Sequence, residues 1–290
     1  MDSKNKQKVI LLTTVYPSVE KYFVDFISSV NKQDFINFEL VIINDNFKNL
    51  DMYINKLNLD NIHIYNSELS PEKNRIYGIE KCKALKADII VFADADDAFD
   101  KNRISETVRH FKDSELDILI NDINVCDSKL TVLKKDYVSA RVKDNSIITE
   151  DSIRDYNFCG LSNSAINSKV CNIEDIIPIN PFDWTFFSHL LIKGAKTKFT
   201  SKTRTLYRQH KDNFVGIGGS IDDNKIIYTL KIKVNHYKKL NNKFGIFDNL
   251  VDYYESILMM DEQGFNLYKE KCYENYKENS FWWEEALKWS

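Results

Sequence analysis

The stretch DIIVFADADDAFD, residues 88–100, decides how the rest of the chain is read. Its opening run, 88–93, is the most continuously apolar of the strand-like runs, the pattern of a strand buried on both faces of a parallel sheet. The run then breaks off at Asp94, Asp96 and Asp97, with Asp100 just beyond. Three carboxylates within four residues repel one another, so a fold that gathers them at a strand end usually neutralises them with a cation. Hard divalent ions such as Mg2+ or Mn2+ take oxygen ligands and often share them with substrate phosphates. A solvated acidic turn, with Asp97 or Asp100 capping a helix, is the plainer alternative. A calcium-binding EF-hand loop is excluded, because its glycine position falls on Phe99 and its twelfth position on Ser105.

Working outward, the runs on both sides alternate strand and helix. Residues 8–15, 38–45 and 61–65 read as strands before the central one, and 116–122 as a strand after it. Between them lie helical patterns at 19–32, 48–57, 70–86 and 100–113. The third opens on Ser70-Pro71, a cap residue followed by proline at the first helical position. This order argues an α/β fold with a Rossmann-like, mostly parallel sheet, in which ligands sit beyond the carboxyl ends of the strands. Asn44-Asp45-Asn46 occupies such a place after the second strand, although it is also ordinary turn chemistry. From 123 to 210 the pattern loosens. Asp127-Ser128-Lys129 reads as a hairpin turn, a helix is expected from Asp183, and 196–208 as a strand. The last seventy residues read as helices.

Composition narrows the class. Hydrophobic residues are 43% of 290 and glycine and proline number only 8 and 4, which excludes collagen-like, low-complexity and disordered chains. Lys+Arg 40 against Asp+Glu 43 leaves −3, unlike the strongly basic footprint of a nucleic-acid binder. The run VILLTTV at 9–15 is short for a signal peptide and has no cleavage site after it, so a buried first strand is expected. No apolar run is long enough to span a membrane. The five cysteines are scattered, with no CxxC pair, which suggests neither zinc nor disulfides and leads to the expectation of a reduced, cytoplasmic protein.

Taken in order, TTVYP (13–17), VIINDN (41–46), NRIYGI (74–79), FADADD (92–97), FDW (182–184) and YRQHKDN (207–213) resemble glycosyltransferase family 2, the inverting nucleotide-sugar-dependent enzymes of GT-A fold. The resemblance covers roughly 8–215. It departs from the family pattern at Asn44, where the first acid of a pair is common, at Ile76, where Asn is common, and at Phe182, where Glu is frequent. It implies a GT-A domain over 1–215, with a nucleotide-binding half at 1–122 and an acceptor-binding half at 123–215, then a helical C-terminal region at 216–290. Thr13 and Tyr16 would line the nucleotide pocket, Asp45 would accept from the base, and Arg75 would lie close by. Asp94 would contact ribose or sugar, and Asp96 would hold Mn2+ or Mg2+ with His210. Asp97 would support either aspartate, Arg208 would face the phosphates, and Asp183 would be the general base. For Asp183 a helix cap is the plainer role.

The implied activity is sugar transfer from a nucleotide sugar, a UDP-sugar foremost, to a glycan or glycolipid in surface polysaccharide or glycoconjugate synthesis. A dTDP-deoxysugar donor, or a sugar-nucleotide-binding module without catalysis, are the alternatives. A nucleotidyltransferase is disfavoured because Thr13–Ser18 holds no glycine. No nucleic-acid partner is expected. Residues 158–167 sit where the family meets its acceptor. The glycines of 215–220 are read as a loop over the donor phosphates, and the tryptophans of 281–290 as packing. The lysines of 225–239 read as a solvated face, or as one approaching a lipid diphosphate or the inner face of a membrane.

Overall fold

The computed structural model describes residues 7–112, 115–155, 157–210 and 222–279. Strand β1 (Val9–Val15) leads through a 3-10 turn at Pro17–Val19 into helix α1 (Glu20–Asn31). Then come β2 (Glu39–Asn44), α2 (Leu50–Ile54), β3 (Ile62–Asn66), α3 (Pro71–Ala84) and β4 (Ile89–Phe92). VILLTTV, ELVIIN and IIVF are aliphatic, largely β-branched runs without glycine or proline, which suits a pleated, buried surface. A short β5 (Ala98–Phe99) and α4 (Arg103–Lys112) precede β6 (Ile118–Cys126) and β7 (Val132–Lys134). Next are β8 (Ile147–Ile148), α5 (Glu150–Ile153), β9 (Ser164–Asn167), α6 (Phe182–Ile192) and the long β10 (Thr197–Arg208). Helices α7 (Asp223–Phe244), α8 (Asp248–Leu258) and α9 (Glu262–Asn279) follow, as the helical reading of that region expects.

The strands form one sheet in the order β3-β2-β1-β4-β9-β6-β10-β5. β3, β2, β1 and β4 run parallel, so their carboxyl ends share one edge. β6 and β10 are also parallel, but β9 is inserted between β4 and β6 antiparallel to both. The sheet is therefore mixed and mostly parallel, and the central strand meets β9 on one side. The hairpin expected around Asp127 is present: β6 and β7 pair antiparallel, and Asp127 Oδ1 accepts the Lys129 and Thr131 amides.

Alternate residues of β1 feed two apolar layers. Ile10 and Leu12 belong to the layer under α3, while Val9, Leu11 and Val15 pack with Phe23 and Phe26 of α1. Helix α3 lies close on the sheet because Gly78 carries no side chain: a Cβ there would come within 2.8 Å of Leu12 Cδ1 and 3.1 Å of Ile43 Cγ1. That approach fixes the helix's amino end over the carboxyl edge of the sheet. Ile226, Leu230, Tyr237 and Leu240 of α7 share the apolar cluster of Ile10 and Phe92, so the C-terminal helices and the sheet have one core. Among the described residues, no helix is long and apolar enough to cross a membrane.

Candidate active site

Polar residues follow each parallel strand at the shared edge. A cleft there is lined by Leu12, Thr13, Thr14, Arg75, Phe92, Ala93, Asp94 and Leu161. The Thr13 hydroxyl is buried and has no hydrogen-bond partner among the described residues, an unusual state for such a group and one that a ligand atom can relieve. Tyr16 follows β1 and is 38% exposed. Its phenol is pushed well up by burial and by the Asp96 and Asp94 carboxylates.

Asp45 sits one residue past β2. Its amide donates to Val15 O at 2.8 Å, tying the ends of β1 and β2 together, and its Oδ2 accepts from Asn74 Nδ2 at 3.0 Å. Asn74, in the first turns of α3, is fully buried, and its Nδ2 also reaches Leu69 O. Sequence reasoning passed over it, though it immediately precedes Arg75. Asn44 is a loop brace: Oδ1 accepts the Phe47 amide at 2.8 Å, and Nδ2 donates to Asn66 Oδ1 at 3.0 Å.

The acidic turn after β4 divides its carboxylates between surface and interior. Asp97 is 2% exposed, and its Oδ1 accepts the Arg208 amide at 2.7 Å while Oδ2 accepts the Ser162 hydroxyl. It thus binds the turn to β10 and to the segment before β9, and burial and its acidic neighbours raise its pKa well above the ordinary value. Asp94 lines the cleft, its carboxyl pushed up to about 6 by burial, which Arg75 opposes and which Asp96 and Asp183 reinforce. Asp96 Oδ2 lies 2.9 Å from His210 Nε2, and the imidazole stacks on Tyr22 with centroids 4.6 Å apart.

Two buried arginines brace this turn. Arg103 of α4 donates to Phe92 O at 2.5 Å, and burial lowers its pKa to about 10 against the pull of Asp97 and Asp94. Arg208 is the point where expectation and structure part. Instead of facing phosphates, it is 1% exposed and donates to Asp96 O at 2.6 Å, Ser128 O at 2.5 Å and Asp25 Oδ2 at 2.7 Å. Its guanidinium also lies over the Tyr22 ring at 4.6 Å. Its donors hold the backbone of the acidic turn, so it is a brace rather than a ligand.

Asp183 comes to the same place from the other half of the chain. Helix α6 begins at Phe182 with Pro181 in the cap position, so Asp183 is the second helical residue, not the cap. Its Oδ1 accepts the Trp184 amide at 2.8 Å. Burial raises its pKa, with Arg75 and that amide opposing, and it in turn raises Asp94. Tyr207, which sequence reasoning also left unassigned, feels Asp97, Asp94, Asp96 and Asp183 together, and burial with these charges holds its phenol protonated. Gly160 completes the wall near Asp183: a Cβ on it would sit 3.8 Å from Asp183 Oδ2. The Asn163 side chain shapes this corner, accepting the Gly160 amide at 2.9 Å and donating to Asn121 O at 2.8 Å. The structure therefore brings Thr13, Arg75, Asp94, Asp96, His210 and Asp183 to one region, with Tyr16 and Asp45 on the loops beside it. The loop at 215–220 and the tryptophans of 281–290 lie outside the described residues.

The fold has solved counterparts. The structure of residues 1–349 of S. aureus TarS matches with a TM-score of 0.59 at 16% identity, over 81% of this chain and 66% of that one. The same TarS unit was solved with UDP-GlcNAc, with a TM-score of 0.60. The mannosyltransferase PcManGT from Pyrobaculum calidifontis, in complex with GDP-Man and Mn2+, matches at 12% identity and TM-score 0.58, over 97% of this chain and 78% of that one. At such identities the likeness is one of fold, the GT-A fold expected from the sequence motifs. No curated protein matches the chain in sequence. A family model does: it matches residues 11–168, from β1 through the acidic turn to the end of β9, and on that match the chain belongs to glycosyl transferase family 2.

Proposed function

We propose that the protein is a metal-dependent inverting glycosyltransferase that moves a sugar from a nucleotide sugar, a UDP-sugar foremost, to a hydroxyl of a glycan or glycolipid acceptor in surface polysaccharide or glycoconjugate synthesis. The observation that carries this reading is the meeting of Asp94, from the turn after β4, with Asp183, from the start of α6, beside Arg75. The UDP-GlcNAc, GDP-Man and Mn2+ held by the similar structures support the donor class and the ion.

Thr13 and Tyr16 line the nucleotide pocket, and Asp45, held at one oxygen by Asn74, accepts from the base with the other. Asp94 receives ribose or sugar hydroxyls, and Arg75 offers a positive charge that acts on both Asp94 and Asp183. The ion is tested by its donors. Asp96 and His210 supply an adjacent oxygen and nitrogen, 2.9 Å apart. Among the described residues no three His, Cys, Asp or Glu side chains form a ready cage, so an ion here would draw its further oxygen donors from substrate or water, as hard divalent ions favour. Asp96 and His210 would hold it, and when bound it offsets charge on the departing diphosphate.

Asp183 performs the proton transfer. A sugar hydroxyl is a poor nucleophile until a positioned carboxylate takes its proton. As the acceptor oxygen bonds to the anomeric carbon, the bond from that carbon to the phosphate oxygen breaks, and the nucleoside diphosphate leaves with the electron pair. The hydroxyl proton passes to Asp183 and from there to solvent. One in-line displacement inverts the anomeric centre.

A thermal-shift screen of nucleotide sugars with and without Mn2+ tests this reading. A rise in Tm that requires both the ion and one nucleotide class supports it; no shift with any pair contradicts it.

A further inference from the structure

The helix that carries Asp183 is gripped from behind by the C-terminal region. Trp184 is fully buried, and its ring stacks on His236 of α7 with centroids 4.0 Å apart and planes at 19°. Thr185 Oγ1 and His236 Nδ1 share a hydrogen bond of 2.9 Å. So the two residues that follow Asp183 both rest on one imidazole. Burial, with the Lys233 charge adding, lowers the His236 pKa to about 3, so the ring stays neutral through the working pH range.

The same face of α7 also holds the end of α5. Three consecutive carbonyls at the end of α5 are each taken by a different side chain. Ile153 O accepts the Trp184 indole N–H at 2.7 Å, Arg154 O accepts the Tyr237 hydroxyl at 2.5 Å, and Asp155 O accepts Lys233 Nζ at 3.1 Å. Helix C-terminal carbonyls lack partners of their own and need such donors when buried. Lys233 also donates to the Tyr254 hydroxyl of α8 at 3.1 Å. One cluster of α7 residues therefore joins the end of α5, the start of α6 and α8.

We infer that His236 is a positioning residue for Asp183: by stacking on Trp184 and bonding Thr185 it fixes the first turn of α6, and with it the carboxylate. The inference rests on Asp183 being the base. The Trp184 amide is itself a donor to Asp183 Oδ1, so a tilt of Trp184 moves the carboxylate directly. Displacements of about 1 Å at a reacting group cost on the order of 100-fold in rate.

A double-mutant cycle on the full chain tests it, with Asp183→Asn, His236→Ala and the pair, each assayed for transfer over a range of donor concentrations up to saturation. His236→Phe, which keeps a ring against Trp184, serves as the variant that still folds. Expected is a kcat loss of about 10-fold or more in His236→Ala, with donor KM within about twofold, and a smaller loss in His236→Phe. Expected too is no further loss when His236→Ala is added to Asp183→Asn, because both act through one carboxylate. If Asp183→Asn is slowed and the two losses multiply in the double variant, or if His236→Ala keeps full kcat, the inference is overturned while the base reading stands. If Asp183→Asn itself keeps wild-type turnover, the base reading fails and takes the inference with it.

Discussion

Arg75 and Arg208 carry the same charge to the same acidic turn and spend it differently. Arg208 gives its donors to Asp96 O, Ser128 O and Asp25 Oδ2, so its removal breaks three part-buried hydrogen bonds, one of them to the acidic turn. Arg208→Met is expected to lower stability by about 1.5–3 kcal/mol, read from the denaturant midpoint, because the hydrogen bonds of a charged group are lost. Arg75 lines the cleft and holds the Asp183 carboxyl down against burial. Without that charge the carboxyl binds its proton at higher pH, so in Arg75→Met the acid limb of the kcat–pH profile shifts upward. An unshifted limb would mean that Asp183 is not the group titrating. Which arginine lines the cleft and which is buried was not legible in the sequence. The motif locates both, but burial of a guanidinium depends on Ser128 and Asp25, which lie far from residue 208 in the chain. Asn74 was legible only as a neighbour of Arg75, since its role depends on where Asp45 ends up.

At the scale of elements, the strands with long apolar runs were readable and the short ones were not. β1, β2 and β4 announce themselves by continuous aliphatic sequence. β9 is only SAIN and β5 only Ala-Phe, too short to show alternation, and each is a strand because a neighbour's edge is open to it. That is why the mostly parallel reading of the sequence did not locate the antiparallel strand beside β4. The seating of α3 yields a further prediction. A Cβ at Gly78 would stand 2.8 Å from Leu12 Cδ1, so Gly78→Ala requires the buried Leu12 side chain or the helix itself to shift. Overpacking of this kind costs about 1–3 kcal/mol. Because α3 carries Asn74 and Arg75, donor KM should rise along with the loss of Tm, whereas an unchanged KM would show that the site tolerates the shift.

Across the whole molecule, sheet and C-terminal helices share a core that buries neutral histidines, and this gives stability a pH dependence. Burial lowers His236 to about 3 and His189 to about 4, both from an ordinary 6.5. Between those limits the unfolded chain binds protons that the folded one does not, so their contribution is present above about pH 6.5 and is lost as pH falls. The raised carboxyls of Asp94, Asp97 and Asp183 act in the opposite sense. The difference between variant and wild type isolates the histidine: His189→Phe should lose less Tm than wild type on going from pH 7 to pH 5. The net charge of −3 says nothing of this interior. The most direct test of the active site is the single-turnover rate of sugar transfer from a UDP-sugar with Mn2+, wild type against Asp183→Asn, with donor affinity measured alongside. A rate lower by about 100-fold or more at unchanged donor affinity is predicted for a lost general base; transfer at the wild-type rate, with the donor still bound, would contradict it.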